Sequence, residues 1–268
     1  MIGVFDSGYG GLTVLKAFLK EMPGYDYLYL GDSARAPYGN KSLKMVYEYT
    51  LRAVEFLFGQ GAELVILACN TASAKALRKI QQEWLPLHYP ERRVLGVVIP
   101  LAEAAAKSSR WGRIGVMGTR ATIESGVYEQ ELRKLNPQLK VFGQACPLLV
   151  PLVEEGWAGK PETNMILKKY LRTLKSKTVD TLILGCTHYP FLERDIKRLS
   201  GRNCRVLDAP AIVADRLGDY LMRHPEMETR LSRAGGRNFF TTDDPKRFKS
   251  FGEEFLGRSM SDVLFVPL

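Results

Sequence analysis

The sequence predicts an α/β protein made of two similar, pseudo-symmetric doubly wound domains with mostly parallel sheets. Three observations predict this. Short runs rich in Val, Ile and Leu alternate with amphipathic helical stretches, as parallel strands joined by crossover helices do. The alternation restarts near the middle of the 268 residues, where Ile114-Gly115-Val116 echoes Ile2-Gly3-Val4. Further on, Asp180-Thr181-Leu182-Ile183-Leu184-Gly185-Cys186-Thr187 echoes Glu63-Leu64-Val65-Ile66-Leu67-Ala68-Cys69-Asn70. Buried strands share a composition, so the likeness of the runs alone is weak. A cysteine at the same strand end in both halves favours duplication.

In order along the first half, Ile2–Asp6 reads as a strand and Leu12–Met22 as a helix. Tyr25–Asp32 is a strand, Ser42–Gly59 a long helix, and Leu64–Ala68 a buried strand that runs into Cys69. Thr71–Trp84 is helical, and Val94–Ile99 is a strand ended by Pro100. In the second half Arg113–Met117 is a strand, followed by a helix near Ile123–Leu135 and a strand over Lys140–Gln144. Glu162–Leu174 is a helix, Thr181–Leu184 a strand that runs into Gly185-Cys186, Phe191–Leu199 a helix and Arg205–Asp208 a strand. The tail holds a helix over Ala211–Arg223, a polar stretch, and strand-like segments at Asn238–Thr242 and Val263–Pro267. A tail of this length packs most simply onto the first half.

Hydrophobic residues make up 46% and charged residues 25%, the balance of a soluble globular protein. No apolar run is long enough for a membrane span. The opening MIGVFDSGYGG lacks the basic flank and apolar core of a signal peptide, which predicts a cytoplasmic chain with reduced thiols. The net charge is +9, but the basic residues are scattered among acids on helix faces and form no nucleic-acid motif. Nucleic acid is therefore not an expected partner, and a basic field suits an anionic substrate such as a dicarboxylate.

Ligands of open parallel sheets bind at the carboxyl ends of the strands. Those ends carry Asp6-Ser7, Gly31-Asp32-Ser33, Cys69-Asn70-Thr71, Gly118-Thr119 and Cys186-Thr187-His188. If the halves face one another, so do the two thiols. Three chemistries fit opposed thiols: a redox disulfide, a nucleophile with a spare, and two-base proton transfer at one carbon. The third requires neither metal nor cofactor, and the four cysteines show no zinc-ligand spacing. It does require a thiolate near pH 7, which a helix N-terminus after each cysteine favours. Asp6 and His188 are the proton shuttles at hand, one in each half. His88 and His224 read as solvated, and Cys146 and Cys204 as structural. Ser7, Asn70, Thr71 and Thr187 offer partners to an amino-acid backbone. Asp6-Ser7-Gly8-Tyr9-Gly10-Gly11 is glycine-rich but fits no nucleotide-binding pattern.

FDSGYGGLTV, GDSARAPYG, ACNTASA and GCTHYPFL follow in that order. Together they resemble the cofactor-independent aspartate/glutamate racemase superfamily, its glutamate racemases in particular, over nearly the whole chain. The resemblance implies an active site in the cleft between two domains, of residues 1–96 plus 208–268 and of residues 97–207. It implies interconversion of L- and D-glutamate without pyridoxal phosphate or metal, supplying D-glutamate for peptidoglycan, by a homodimer. Cys69 is implied to act on D-glutamate with help from Asp6, and Cys186 on L-glutamate with help from His188. Glu154 matches a further family acid. Asp6, Ser7, Tyr38, Gly39, Asn70, Thr71, Thr187 and His188 match the substrate contacts. Tyr9 departs from the family's small aliphatic residue and is expected to narrow the cleft or alter its lid. Two alternatives stay open: another substrate such as aspartate, or a basic binding protein that kept the fold.

Overall fold

Strands buried on both faces need apolar side chains throughout, and the runs read from the sequence meet that condition. The computed structural model, which describes residues 1–268, contains ten strands. They are β1 (Ile2–Asp6), β2 (Tyr27–Gly31), β3 (Leu64–Leu67), β4 (Arg93–Gly96), β5 (Arg113–Gly118), β6 (Lys140–Ala145), β7 (Thr181–Gly185), β8 (Arg205–Val206), β9 (Arg237–Thr241) and β10 (Val263–Phe265). β1, β2, β3 and β7 are buried at every residue. All pairings are parallel.

One sheet runs β10-β9-β2-β1-β3-β4 and the other β6-β5-β7-β8. The order β2-β1-β3-β4 is repeated as β6-β5-β7-β8, which is the duplication expressed as topology. In each sheet the chain order reverses beside the first strand, between β1 and β3 or between β5 and β7. A crevice opens at that switch point, beyond the carboxyl ends. Cys69 follows β3 and Cys186 follows β7, so each sheet delivers its thiol to its own crevice. The tail lies against the first sheet, where β9 pairs with β2 and β10 with β9. No helix is long and apolar enough to cross a membrane.

Several expected boundaries are corrected. The strand read as Val94–Ile99 stops at Gly96, and a helix spans Val98–Ser108. Pro100 sits in that helix's first turn, where its missing N–H has no intrahelical partner to lose. The Thr71–Trp84 helix is three pieces, Asn70–Lys75, Leu77–Lys79 and a π-turn over Ile80–Trp84, and a further helical turn, Leu85–His88, follows. His88 therefore ends a short helix, stacked on Trp84, and His224 is half-buried against Tyr220. The second-half helix near Ile123–Leu135 breaks at Gly126, whose φ is +66°. Phe191–Leu199 divides into a 3₁₀ turn, Tyr189–Leu192, and a helix, Glu193–Ser200. Arg205–Asp208 pairs only over two residues, because Asp208 accepts a hydrogen bond from Ala211 N and caps the next helix, Ala209–Arg223. The polar tail hides a helix, Pro245–Leu256, capped by Asp244.

Candidate active site

Where the two switch points meet, the loops after β1, β3, β5 and β7 face one another. Ser7, Cys69, Asn70 and Thr71 line a common cavity from the first half. Cys186, Thr187, His188 and Glu154 line it from the second. Its volume is about 30 Å³, a small space. A larger cavity of about 570 Å³ lies between the Leu12–Glu21 helix and the C-terminal helix, but neither cysteine reaches it. The reactive groups gather in the smaller one.

Glycines let the loops come this close. A methyl on Gly10 would stand 2.3 Å from Thr187 Oγ1 and 2.6 Å from His188 Nδ1. One on Gly39 would stand 2.7 Å from Thr119 Cβ. The glycine-rich DSGYGG loop is thus a seat for the opposite half.

Asp6, at the end of β1, is wholly buried beneath the cavity. It accepts hydrogen bonds from Gly8 N at 3.0 Å and from Thr187 Oγ1 at 3.2 Å. Burial raises its carboxyl above the usual range, against the pull of the His188 charge and the Gly11 and Gly8 N–H groups. Thr13 adds a second tie between the halves by donating to the Thr187 carbonyl at 3.2 Å.

Cys69 donates to Ser7 Oγ at 3.5 Å. It directly precedes the Asn70–Lys75 helix, as expected, yet its thiol is not lowered. Burial, then the Asp6 charge, push it up to about 12, outweighing the Ser7 hydroxyl and the Ala72 N–H. The expectation of a thiolate made by the helix terminus is therefore corrected for Cys69: desolvation wins in so tight a space. Cys186 is followed by a 3₁₀ turn and not directly by an α-helix. Its Sγ lies 3.9 Å from His188 Nδ1, and His188 Nε2 lies 2.9 Å from Glu154 Oε1. Burial disfavours the imidazolium, but hydrogen bonds and charge from Cys186 and Glu154 outweigh it and raise His188 to about 10. Thiol, imidazole and carboxylate thus stand in a row, an arrangement that can pass a proton.

Tyr38 and Gly39 open a 3₁₀ turn whose first N–H groups have no partner within the turn. The Tyr38 side chain points away, its hydroxyl bonded to buried Asp32. Asp32 also accepts from Arg35 and from Thr242 of the tail, and so anchors the loop. Tyr9 is not among the residues that line the cavity. Its ring packs on Phe248, Phe251 and Phe255 of the C-terminal helix, at 5.0, 5.6 and 6.1 Å. Thr119, noted at a strand end but given no role, lines the cavity and bonds Thr71 at 2.9 Å. Cys146 is buried and donates to Gln144 O, and Cys204 is half-buried, away from the cleft. Nowhere do three His, Cys, Asp or Glu side chains converge as a metal ion would need.

The sequence pattern of the Asp/Glu/hydantoin racemases matches residues 12–217. The chain belongs to that family. This racemase is 43% identical to the glutamate racemase of Geobacter metallireducens over 267 residues, spanning 100% of this chain and 96% of the relative. Its fold matches the glutamate racemase of Bacillus anthracis with a TM-score of 0.91, at 36% identity over 100% of this chain and 98% of that one. It matches the Francisella tularensis glutamate racemase, solved with D-glutamate, with a TM-score of 0.88, at 32% identity over 99% and 96%. The racemase is accordingly an isomerase of amino acids, with the two-domain parallel α/β architecture of its relatives.

Proposed function

We propose that this racemase interconverts L- and D-glutamate by proton transfer between Cys69 and Cys186. One observation carries the reading: two thiols at equivalent strand ends of duplicated sheets open into one cavity. In the D-to-L direction the Cys69 thiolate removes the α-proton. The Cys186 thiol donates its proton to the opposite face, leaving Cys69 protonated and Cys186 a thiolate beside His188. L-to-D runs in reverse. The high Cys69 pKa of the closed cleft fits this scheme, because a bound amino acid brings an ammonium group that favours the thiolate. Carbanion-like charge at the α-carbon is met by donors aimed at the substrate carboxylate, from Asn70, Thr71, Thr187 and the Tyr38-Gly39 turn. Asp6 serves the Cys69 side, and the His188–Glu154 pair serves Cys186.

A space of about 30 Å³ is small for an amino acid, and the proposal includes a parting of the halves to admit it. We take the moving units as residues 1–96 with 208–268, and residues 97–207. The proposal extends to a cytoplasmic homodimer supplying D-glutamate for peptidoglycan. Purified protein, with no cofactor added, is expected to abolish the circular-dichroism signal of L-glutamate and of D-glutamate. Racemisation of aspartate but not glutamate would replace the substrate, and inertness toward both would refute the reading.

A further inference from the structure

Asn70 stands between Cys69 and Thr71 and lines the cavity from the first half. Its side-chain oxygen accepts a hydrogen bond from a residue of the second half. Tyr128, in the Val127–Leu135 helix, places its hydroxyl 2.5 Å from Asn70 Oδ1. Both residues are buried, at 3% and 5% exposure. The tyrosine ring is held beside β7, where a methyl on Gly185 would come within 3.3 Å of its edge. Burial, followed by the Cys186 charge, raises the phenol well above its ordinary range, so it remains a proton donor. A phenol that donates selects the oxygen of an amide. The amide nitrogen then takes the other direction. Asn70 Nδ2 makes no hydrogen bond within the protein and is not sealed from solvent, which leaves its two N–H donors free for a ligand.

We infer that Tyr128 is a positioning residue: it fixes the Asn70 amide so that its NH₂, and not its oxygen, meets a carboxylate of the bound amino acid. Without that bond the amide is free to flip and present a repelling oxygen to the anion. The bond spans the two halves, so the donor is oriented only as the cleft closes. The inference rests on the reading that the cleft binds an amino acid.

The test is steady-state kinetics on three variants, with thermal melting as the check on folding. Tyr128→Phe keeps the ring and removes only the hydroxyl. It is expected to lower kcat/KM for both enantiomers about tenfold, mostly through KM, since the amide it orients holds the substrate carboxylate in the ground state as well as in the transition state. Asn70→Ala is expected to raise KM comparably in the wild-type background and to add little in the Tyr128→Phe background, because the two groups act as one unit. Asn70→Asp keeps an acceptor for Tyr128 but offers the cavity an oxygen, and is expected to exceed Asn70→Ala in its effect on KM. An unchanged KM in Tyr128→Phe, or fully multiplicative effects in the double variant, overturns the role of Tyr128 while racemisation by the wild type stands. Wild-type protein that neither binds nor racemises glutamate overturns both readings.

Discussion

Glu154 Oε1 and His188 Nε2 lie 2.9 Å apart, and this turns the other ring nitrogen of His188 toward Cys186. The carboxylate stands at the cavity edge and the imidazole is buried. The pair therefore sets an imidazole and a carboxylate beside one thiol and not beside the other.

Replacing that carboxylate should slow the reaction without dismantling the site. Glu154→Gln keeps the shape and loses the charge that supports the imidazolium. Its kcat/KM is expected to fall about ten- to hundredfold, within the usual reach of general acid–base help. His188 should titrate at lower pH in the variant. Steady-state rates and an NMR titration of the ring check both statements, and an unmoved titration would remove Glu154 from the relay.

The thiols should be individually indispensable. Cys69→Ser and Cys186→Ser are each expected to lose about 10³-fold or more of racemase activity, since residues acting as a unit fail together. In deuterated water, wild-type product should carry solvent deuterium at the α-carbon. Full activity in either serine variant would sink the two-base scheme.

Stability should decline as pH rises above neutrality. His188 is raised from 6.5 to about 10 in the folded protein. Its contribution is complete below 6.5 and is lost as pH climbs through about 10. Cys69 is raised from 9.0 to about 12 and acts in the same sense from 9.0 upward. Urea midpoints are expected to fall between pH 7 and 10, and His188→Asn to flatten that fall up to pH 9. A midpoint rising with pH over this range would contradict the assignment.

Gly10→Ala should damage activity more than folding. The added methyl falls on Thr187 Oγ1 and His188 Nδ1, so the two halves cannot close. Loss of racemisation with a melting temperature lowered by only a few degrees is the expected result. A variant with wild-type kcat/KM would show that the seat is not needed.

The sheets were legible because buried parallel strands leave unbroken apolar runs, and the cysteine-ended echo gave the duplication. Helix limits were less so. Pro100 punctuates a sequence in the same way whether it ends a strand or opens a helix. The tail helix looked polar because Phe248 and Phe255, which carry its packing, are spread among Lys and Glu. At the site, the motif residues do converge around the cavity. What no linear pattern shows is who bonds to whom. Asp6 bonds Thr187 across the cleft and makes no hydrogen bond with Cys69. Tyr9 turns to the C-terminal helix, and Thr119 and Tyr128 become relevant only through partners dozens of residues away.

The pairing of β9 with β2 sets a timetable for synthesis. The second sheet is drawn from one continuous stretch of chain, β5 to β8, and is complete as soon as Val206 has left the ribosome. The first sheet begins earlier yet finishes last, because β2 keeps an open edge until Arg237–Thr241 arrives. During that interval Tyr27–Gly31 is an unpaired apolar edge of the kind that recruits other chains. Chains truncated before Arg237 are therefore expected to aggregate through β2, the strand laid down second and sheltered almost at the end.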